Sequence, residues 1–251
     1  MESNEIIKNA PNFMTYNGNH IFHYTTFLSA IKIIASKNLL FGDFKNMNDI
    51  SESRREVFND IAIVELCKYK SLSFTFDNSY KRGFEIDSLW GYYAEKGNGV
   101  CLVFNKSKLI SQFKKMVGFK RHGKIKYTRS FTNALFFDND KEPIISQIEK
   151  KYKDIFFTKS TDWRNENEYR FIIRSETDNA VSLPLYDALV AIVVCMPLSS
   201  NVENTCEYKI LKQLTNVPLL HYHTSLGNKT LTEIEGDMLW PLLGVDIFLD
   251  V

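Results

Sequence analysis

Cysteine is scarce in this chain and scattered. Cys67, Cys101, Cys195 and Cys206 are the four in 251 residues, and no two form a CxxC pair. That spacing argues against a structural zinc site and predicts reduced thiols. Long apolar runs are lacking too. The longest, Leu189 to Met196, falls far short of the ~18 residues of a membrane span and, rich in valine, reads as a buried strand. There is no excess charge of either sign: 31 Lys and Arg face 30 Asp and Glu, so any polyanion site has to be a local patch. The opening MESNEIIKNAPNF lacks the basic end, apolar block and cleavage site of a secretory leader, and a cytoplasmic protein with no membrane association is expected. Repeats, low-complexity stretches, a GxSxG elbow, a P-loop and a GxGxxG turn are all absent.

Aromatic residues, by contrast, are abundant. With 19 Phe, 12 Tyr and 44% hydrophobic residues, the chain has the makings of one sheet-rich core and a cleft for flat ligands. Residues 1–20 read as a polar lead-in and 21–251 as a single α+β domain, since strands and helices alternate without a strict βαβ rhythm. Strands are expected at Ile21–Tyr24, Ser71–Phe76, Val100–Phe104, Lys124–Thr128, Glu168–Arg174, Val190–Cys195 and Pro218–Thr224. Thr25 or Thr26 is placed to cap a helix whose Phe27, Leu28, Ile31 and Ile34 share a face, with Asn38 as its left-handed cap. Further helices are expected at about 51–69 with Val57, Ile61, Val64 and Leu66, as a short turn over Ser88–Glu95, and from about Leu109 to Val117. Two more run from Pro143 to about Lys159 and over Asn201–Leu214.

Three segments have the residue types of a ligand site. His23-Tyr24-Thr25 closes a strand before a helix, where an imidazole meets a ligand hydroxyl and the helix N-terminus favours a phosphate or carbonyl. Trp90-Gly91-Tyr92-Tyr93 crowds three rings into four positions. Either one ring faces a cleft and stacks on a base or nicotinamide, or Trp90 and Tyr93 share a core face while Tyr92 lies on the surface. In Glu168–Arg174 the period of two sets Glu168, Arg170 and Ile172 opposite Tyr169, Phe171 and Ile173. The two charged groups then either line a cleft or pair on a solvated face.

Lys106 to Arg129 holds nine Lys or Arg and no Asp or Glu. Lys120, Arg121, Lys124 and Lys126 are its candidate nucleic-acid contacts, and pairing with Asp138, Asp140 and Glu142 is the simpler reading. His221 and His223 share a strand face at i, i+2, but no third ligand is at hand and no metal is expected.

Taken in order, the segments HYT (His23–Thr25), LLFGDFKNMND, SLSF, LWGYYAEKGNGVCLVF, KIKYT and TDWRNENEYRFI resemble a large bacterial family known as domain of unknown function 2971. The resemblance runs over roughly 21–225, the later LVAIVVCM and VPLLHYHT fitting its tail. Two positions depart from it: Ile50-Ser51 stand where the family has Pro and an aromatic, and Gly91-Tyr92 where it often has Ser-His. A more distant similarity is to ADP-ribosyltransferases of the H-Y-E type, whose opening His-strand-helix layout DNA-modifying DarT-type toxins share.

That similarity implies a mixed, mostly antiparallel sheet split into two halves around a cleft, with flanking helices and NAD as substrate. By it His23 binds a ribose hydroxyl with Tyr24 and Thr25 beside it, Tyr93 or Trp90 stacks on nicotinamide, and Arg170 belongs to the same cofactor-binding set. Glu168 accepts from the 2′-hydroxyl and stabilises the oxocarbenium-like transition state. The function expected is ADP-ribosyl transfer to a nucleic acid or protein, or NAD hydrolysis, in a bacterial toxin or anti-phage effector with an antitoxin or defence-system partner. A non-catalytic nucleotide-binding module is the alternative, and an aromatic-cored interaction domain a third.

Overall fold

A computed structural model describes residues 18–49, 52, 60–78, 81–129, 137, 142–177, 179–196, 202–225, 228–234 and 239–242. Most of the lead-in, Val57, Asp138 and Asp140 lie outside them. In chain order the elements begin with β1 (His20–Thr25), α1 (Phe27–Ser36), β2 (Asn38–Leu40), β3 (Gly42–Asp43), α2 (Asp60–Leu66) and β4 (Tyr69–Phe76). Next come α3 (Asp87–Tyr93), β5 (Val100–Asn105), α4 (Lys106–Lys115), β6 (Lys120–Lys124), β7 (Lys126–Thr128), α5 (Ile144–Lys150) and α6 (Tyr152–Phe156). The chain continues through β8 (Thr158–Ser160), β9 (Glu168–Arg174), β10 (Ser182–Pro184), β11 (Leu189–Cys195), α7 (Cys206–Leu214), β12 (Leu219–Ser225), β13 (Asn228–Glu233) and β14 (Leu239–Leu242). The class is α+β. Pairing is mostly antiparallel, with β11–β12 and β7–β8 parallel.

The chain forms two compact units interleaved in sequence: Met1–Asn38, Thr75–Ile110 and Leu185–Val251 make one, Leu39–Phe74 and Ser111–Pro184 the other. In the first, strands run in the order β14-β13-β12-β11-β5-β1. Alternation sends Phe22, Tyr24, Cys101, Val103, Ala191, Val193, Cys195, Leu220 and Tyr222 to one face, where they pack with Phe84, Ile86, Leu89 and Trp90. Ile21, Leu102, Phe104, Ile192 and Val194 go to the other and are just as buried. A sheet covered on both sides needs near-continuous apolar strands, which is why VCLVF and LVAIVV show no polar alternation.

Thr26 caps α1, its hydroxyl accepting from the Ser29 N–H at 3.1 Å. The left-handed residue that ends this helix is Lys37 (φ 57°), one earlier than the Asn38 expected, because Asn38 already begins β2. Leu28, placed inward by its spacing, is 61% exposed, and Ala30 takes the inner position. Gly83 sits where an added Cβ would lie 2.1 Å from the fully buried Phe22 ring. Gly83→Ala is therefore expected to cost about 1–3 kcal/mol, read as a lower urea midpoint at unchanged m-value.

In the second unit the order is β4-β9-β6, with β3 also on β4. Phe44, Leu66, Tyr69, Ile148, Phe156 and Ile172 build its core. The helix expected from Pro143 to Lys159 is broken at Lys151 into α5 and α6, and Lys159 lies instead on β8, paired with β7. Ile61 and Val64 of α2 face outward, as does Val117 beyond α4. Among the described residues no helix is long and apolar enough to cross a membrane. All four cysteines are free.

Candidate active site

β1 carries the first group of candidates. His23 is half-buried and, by alternation, points away from the face to which Phe22 and Tyr24 turn. Tyr24 donates its hydroxyl to the Gly83 carbonyl at 2.7 Å and accepts from the Ile86 N–H at 3.4 Å. Burial pushes its phenol well up, so it stays a neutral donor. Thr25 is buried at the strand end, next to the Thr26 cap.

α3 carries the rings. Trp90 donates its indole N–H to the Phe84 carbonyl at 2.8 Å, lies edge-on to Tyr24 at 4.9 Å and stacks on Tyr222 at 5.6 Å. Tyr93 is partly buried against the same cluster, and Tyr92 is 69% exposed. The core-face alternative for this segment is therefore the arrangement observed. His23 and the Trp90–Tyr93 pair lie on opposite faces of the first unit's sheet, so the expected meeting of imidazole and ring does not occur there. Tyr24 and Trp90 are corrected from ligand-facing to core residues, their polar atoms already bonded to backbone.

The second unit holds the carboxylate. Asn167, in a left-handed conformation (φ 43°), turns a 3-10 segment into β9, so that Glu168 opens the strand. The Glu168 N–H donates to the Tyr127 hydroxyl at 2.9 Å. Its carboxylate accepts from Arg170 twice, Nε to Oε1 at 2.6 Å and Nη2 to Oε2 at 3.0 Å, and from Lys159 Nζ at 2.8 Å. Arg170 also grips Glu52, at 2.5 and 3.0 Å, and donates to the Phe156 carbonyl at 2.8 Å. Lys159 bridges to Glu166 at 2.8 Å and Glu52 at 3.4 Å.

The alternation expected along β9 holds, but the Glu168–Arg170 face is not solvated. Arg170 is 0% exposed and Glu168 3%. All five guanidinium N–H groups of Arg170 are taken by these contacts, so its expected place among ligand-binding residues is corrected: it anchors carboxylates. Burial on its own would push the Glu168 carboxyl up. The charges and hydrogen bonds of Arg170 and Lys159 outweigh it and hold the group ionised, well below the usual carboxylate range. Glu52, Glu166 and Glu168 against Lys159 and Arg170 leave one negative charge in excess.

Glu52, Lys159, Glu166 and Tyr127 were not singled out from the sequence as site residues. Glu166 lies within the TDWRNENEYRFI segment of the family resemblance, and Lys159 stands two residues before it. No local signal marks Glu52, which meets Arg170 across 118 positions.

The basic stretch divides. Lys106 donates to the Gly18 carbonyl, and Lys108 pairs with Asp187 at 2.5 Å, both in the first unit. Lys120, Arg121 and Lys124 lie on β6 and Lys126 on β7 in the second. Lys120 donates to the Met116 carbonyl, while Lys124 and Lys126 are exposed. Glu142, an expected partner of this stretch, pairs with Lys150 instead.

His221 and His223 do share a face, their ring centres 3.7 Å apart, with His221 Nε2 3.2 Å from the Met196 carbonyl. No group of three metal-ligating side chains occurs among the described residues. Burial, and then the neighbouring His223, lower His221 to about 4. Its folded value lies below the unfolded one of ~6.5, so the unfolded chain takes the proton first and stability falls as pH drops from about 6.5 towards 4. Thermal melts at pH 7 and pH 5 are expected to differ by less in His221→Asn than in the wild type.

The family described as protein of unknown function (DUF2971) matches residues 89–171, which run from within α3 through β6 to the opening of β9. No curated protein matches the chain. Two solved structures are similar at 15% identity and a TM-score of 0.37: Thermus sp. 2.9 DarT in complex with NAD+, and the same protein in complex with ADP-ribosylated single-stranded DNA. The likeness covers 82% of this chain and 97% and 95% of those chains.

Proposed function

We propose that the chain breaks the nicotinamide–ribose bond of NAD and hands the ADP-ribose to a macromolecular acceptor or to water, with Glu168 as the catalytic carboxylate. The observation that carries this reading is the state of that carboxylate. Group transfer from NAD passes through a sugar that gains positive charge as the C1′–N bond breaks and its electron pair leaves with nicotinamide. A group that stabilises such a charge has to be ionised at working pH and fixed before the reaction begins. Glu168 meets both conditions, and it supplies the one negative charge by which its network exceeds its two cations. Its Oε1 accepts a single described hydrogen bond, so that oxygen keeps acceptor capacity that a ribose hydroxyl could use.

A second reading is favoured by one observation, the near-complete burial of Glu168 and Arg170. In it the ionic network is a strut, and the chain binds a nucleotide without turning it over. Incubation of purified protein with NAD separates the two. Nicotinamide released in proportion to enzyme supports the first reading, whereas a raised melting temperature with NAD intact supports the second.

The setting expected of such an enzyme is that of a bacterial toxin or anti-phage effector held in check by an antitoxin. The distant similarity to ADP-ribosyltransferases, whose opening His-strand-helix layout DarT-type toxins share, is what supports that setting.

A further inference from the structure

Tyr127 stands where the chain leaves the β9 ladder. The Ile125 N–H bonds the Glu168 carbonyl at 3.0 Å, and one residue later the Lys126 N–H bonds the Phe157 carbonyl at 2.8 Å, so β7 pairs with β8 instead. That change of partner sets Tyr127 opposite Lys159 in register and brings its hydroxyl to 2.9 Å from the Glu168 N–H. Its ring packs, partly buried, against the core of the second unit.

The hydrogens around Glu168 can then be counted. Arg170 directs its five N–H groups at Glu52, Glu168 and the Phe156 carbonyl. Lys159 directs its three at Glu52, Glu166 and Glu168. The Tyr127 hydroxyl accepts from the Glu168 N–H, and its own proton meets no acceptor among the described residues. Burial pushes this phenol up, so the proton stays in place at working pH. Of the three side chains, the tyrosine alone keeps a hydrogen for a ligand.

A donor at the Glu168 N–H and spare acceptor capacity on the Glu168 carboxylate match two neighbouring hydroxyls of one sugar. One hydroxyl gives its proton and the other receives one. The charge that the reaction builds decides which is which. The 2′-oxygen helps the developing cation by growing more negative as its proton is drawn to Glu168, and a second donor on that oxygen would oppose this. The 3′-oxygen has no such constraint.

We infer, on the reading of Glu168 as the catalytic carboxylate, that Tyr127 donates a hydrogen bond to the 3′-oxygen of the nicotinamide ribose while Glu168 holds the 2′-hydroxyl. Together they select a sugar that carries both hydroxyls.

The test compares nicotinamide release from NAD and from NAD lacking the 3′-hydroxyl of its nicotinamide ribose, in the wild type and in Tyr127→Phe. The wild type is expected to favour NAD about tenfold in kcat/KM, the effect of one hydrogen bond to the substrate. Tyr127→Phe is expected to lose that preference and treat the two alike within about twofold. The preference is a ratio of two rates in one sample, so the fraction of the variant that folds cancels. Where the variant is too slow to follow, calorimetric dissociation constants for the two dinucleotides supply the same ratio. A tyrosine that only props the Glu168 N–H would lower both rates together and leave the tenfold preference intact. That result, or a wild type indifferent to the missing hydroxyl, would overturn the inference. A wild type that releases no nicotinamide from NAD at all would instead refute the reading of Glu168, and the role of Tyr127 with it.

Discussion

Replacing Glu168 by glutamine is expected to lower nicotinamide release from NAD about 100- to 1,000-fold, the loss that follows removal of one fixed group aimed at developing charge. The substitution keeps the shape and leaves the network with two carboxylates for two cations, Glu52 and Glu166 facing Lys159 and Arg170. Its structural cost comes from the glutamine amide, which turns N–H groups toward donors that Glu168 had satisfied, a penalty of about 1–3 kcal/mol. The variant therefore folds. Glu166→Gln makes the same change of charge on the far side of Lys159. Turnover close to wild type in that variant, alongside the loss in Glu168→Gln, marks Glu168 as the group that touches the sugar. An equal fall in both would instead mark a network that acts only through its summed charge.

Arg170→Ala is expected to destabilise the chain by about 3–5 kcal/mol, since it strips two buried carboxylates of their shared cation. Against a total stability of ~5–15 kcal/mol this is a large fraction, and a urea midpoint measures it. Arg170→Lys recovers only part of the loss, because an ammonium offers three donors where the guanidinium makes five contacts in fork geometry. Acid works on the same network. Glu168 is depressed in the folded chain, so its contribution is present above the unfolded carboxylate range and is lost as pH falls toward its folded value.

What the sequence disclosed follows from the range of the forces involved. β1, β4, β5, β9 and β11 were legible because apolar and β-branched runs mark buried strands wherever they occur. Thr26 was legible because capping is local, whereas the left-handed position was misjudged by one residue because asparagine's preference is weaker than the pull of the strand that Asn38 starts. Leu28, Ile61 and Val64 show the limit of spacing: it defines a face, but not how wide a face the neighbours cover. The β13–β14 hairpin was not foreseen, its NKTLTE strand being polar at every position but Leu231 and short.

For the candidate site, the period of two along β9 set Glu168 and Arg170 on one face correctly. It could not say that Glu52 and Lys159 close over them, since those partners arrive by tertiary contact. The same alternation along β1 already separated His23 from Tyr24. Only the packing of Trp90 against Tyr24 and Tyr222 told which of the two shares a side with the rings.

The most direct test of the central proposal is a time course of NAD with the purified chain, followed by proton NMR, in which the nicotinamide ring signals move when the bond to ribose breaks. Conversion to free nicotinamide that scales with protein and vanishes in Glu168→Gln is the result predicted. Signals that broaden on binding yet never convert would show that the chain holds the nucleotide and performs no chemistry on it.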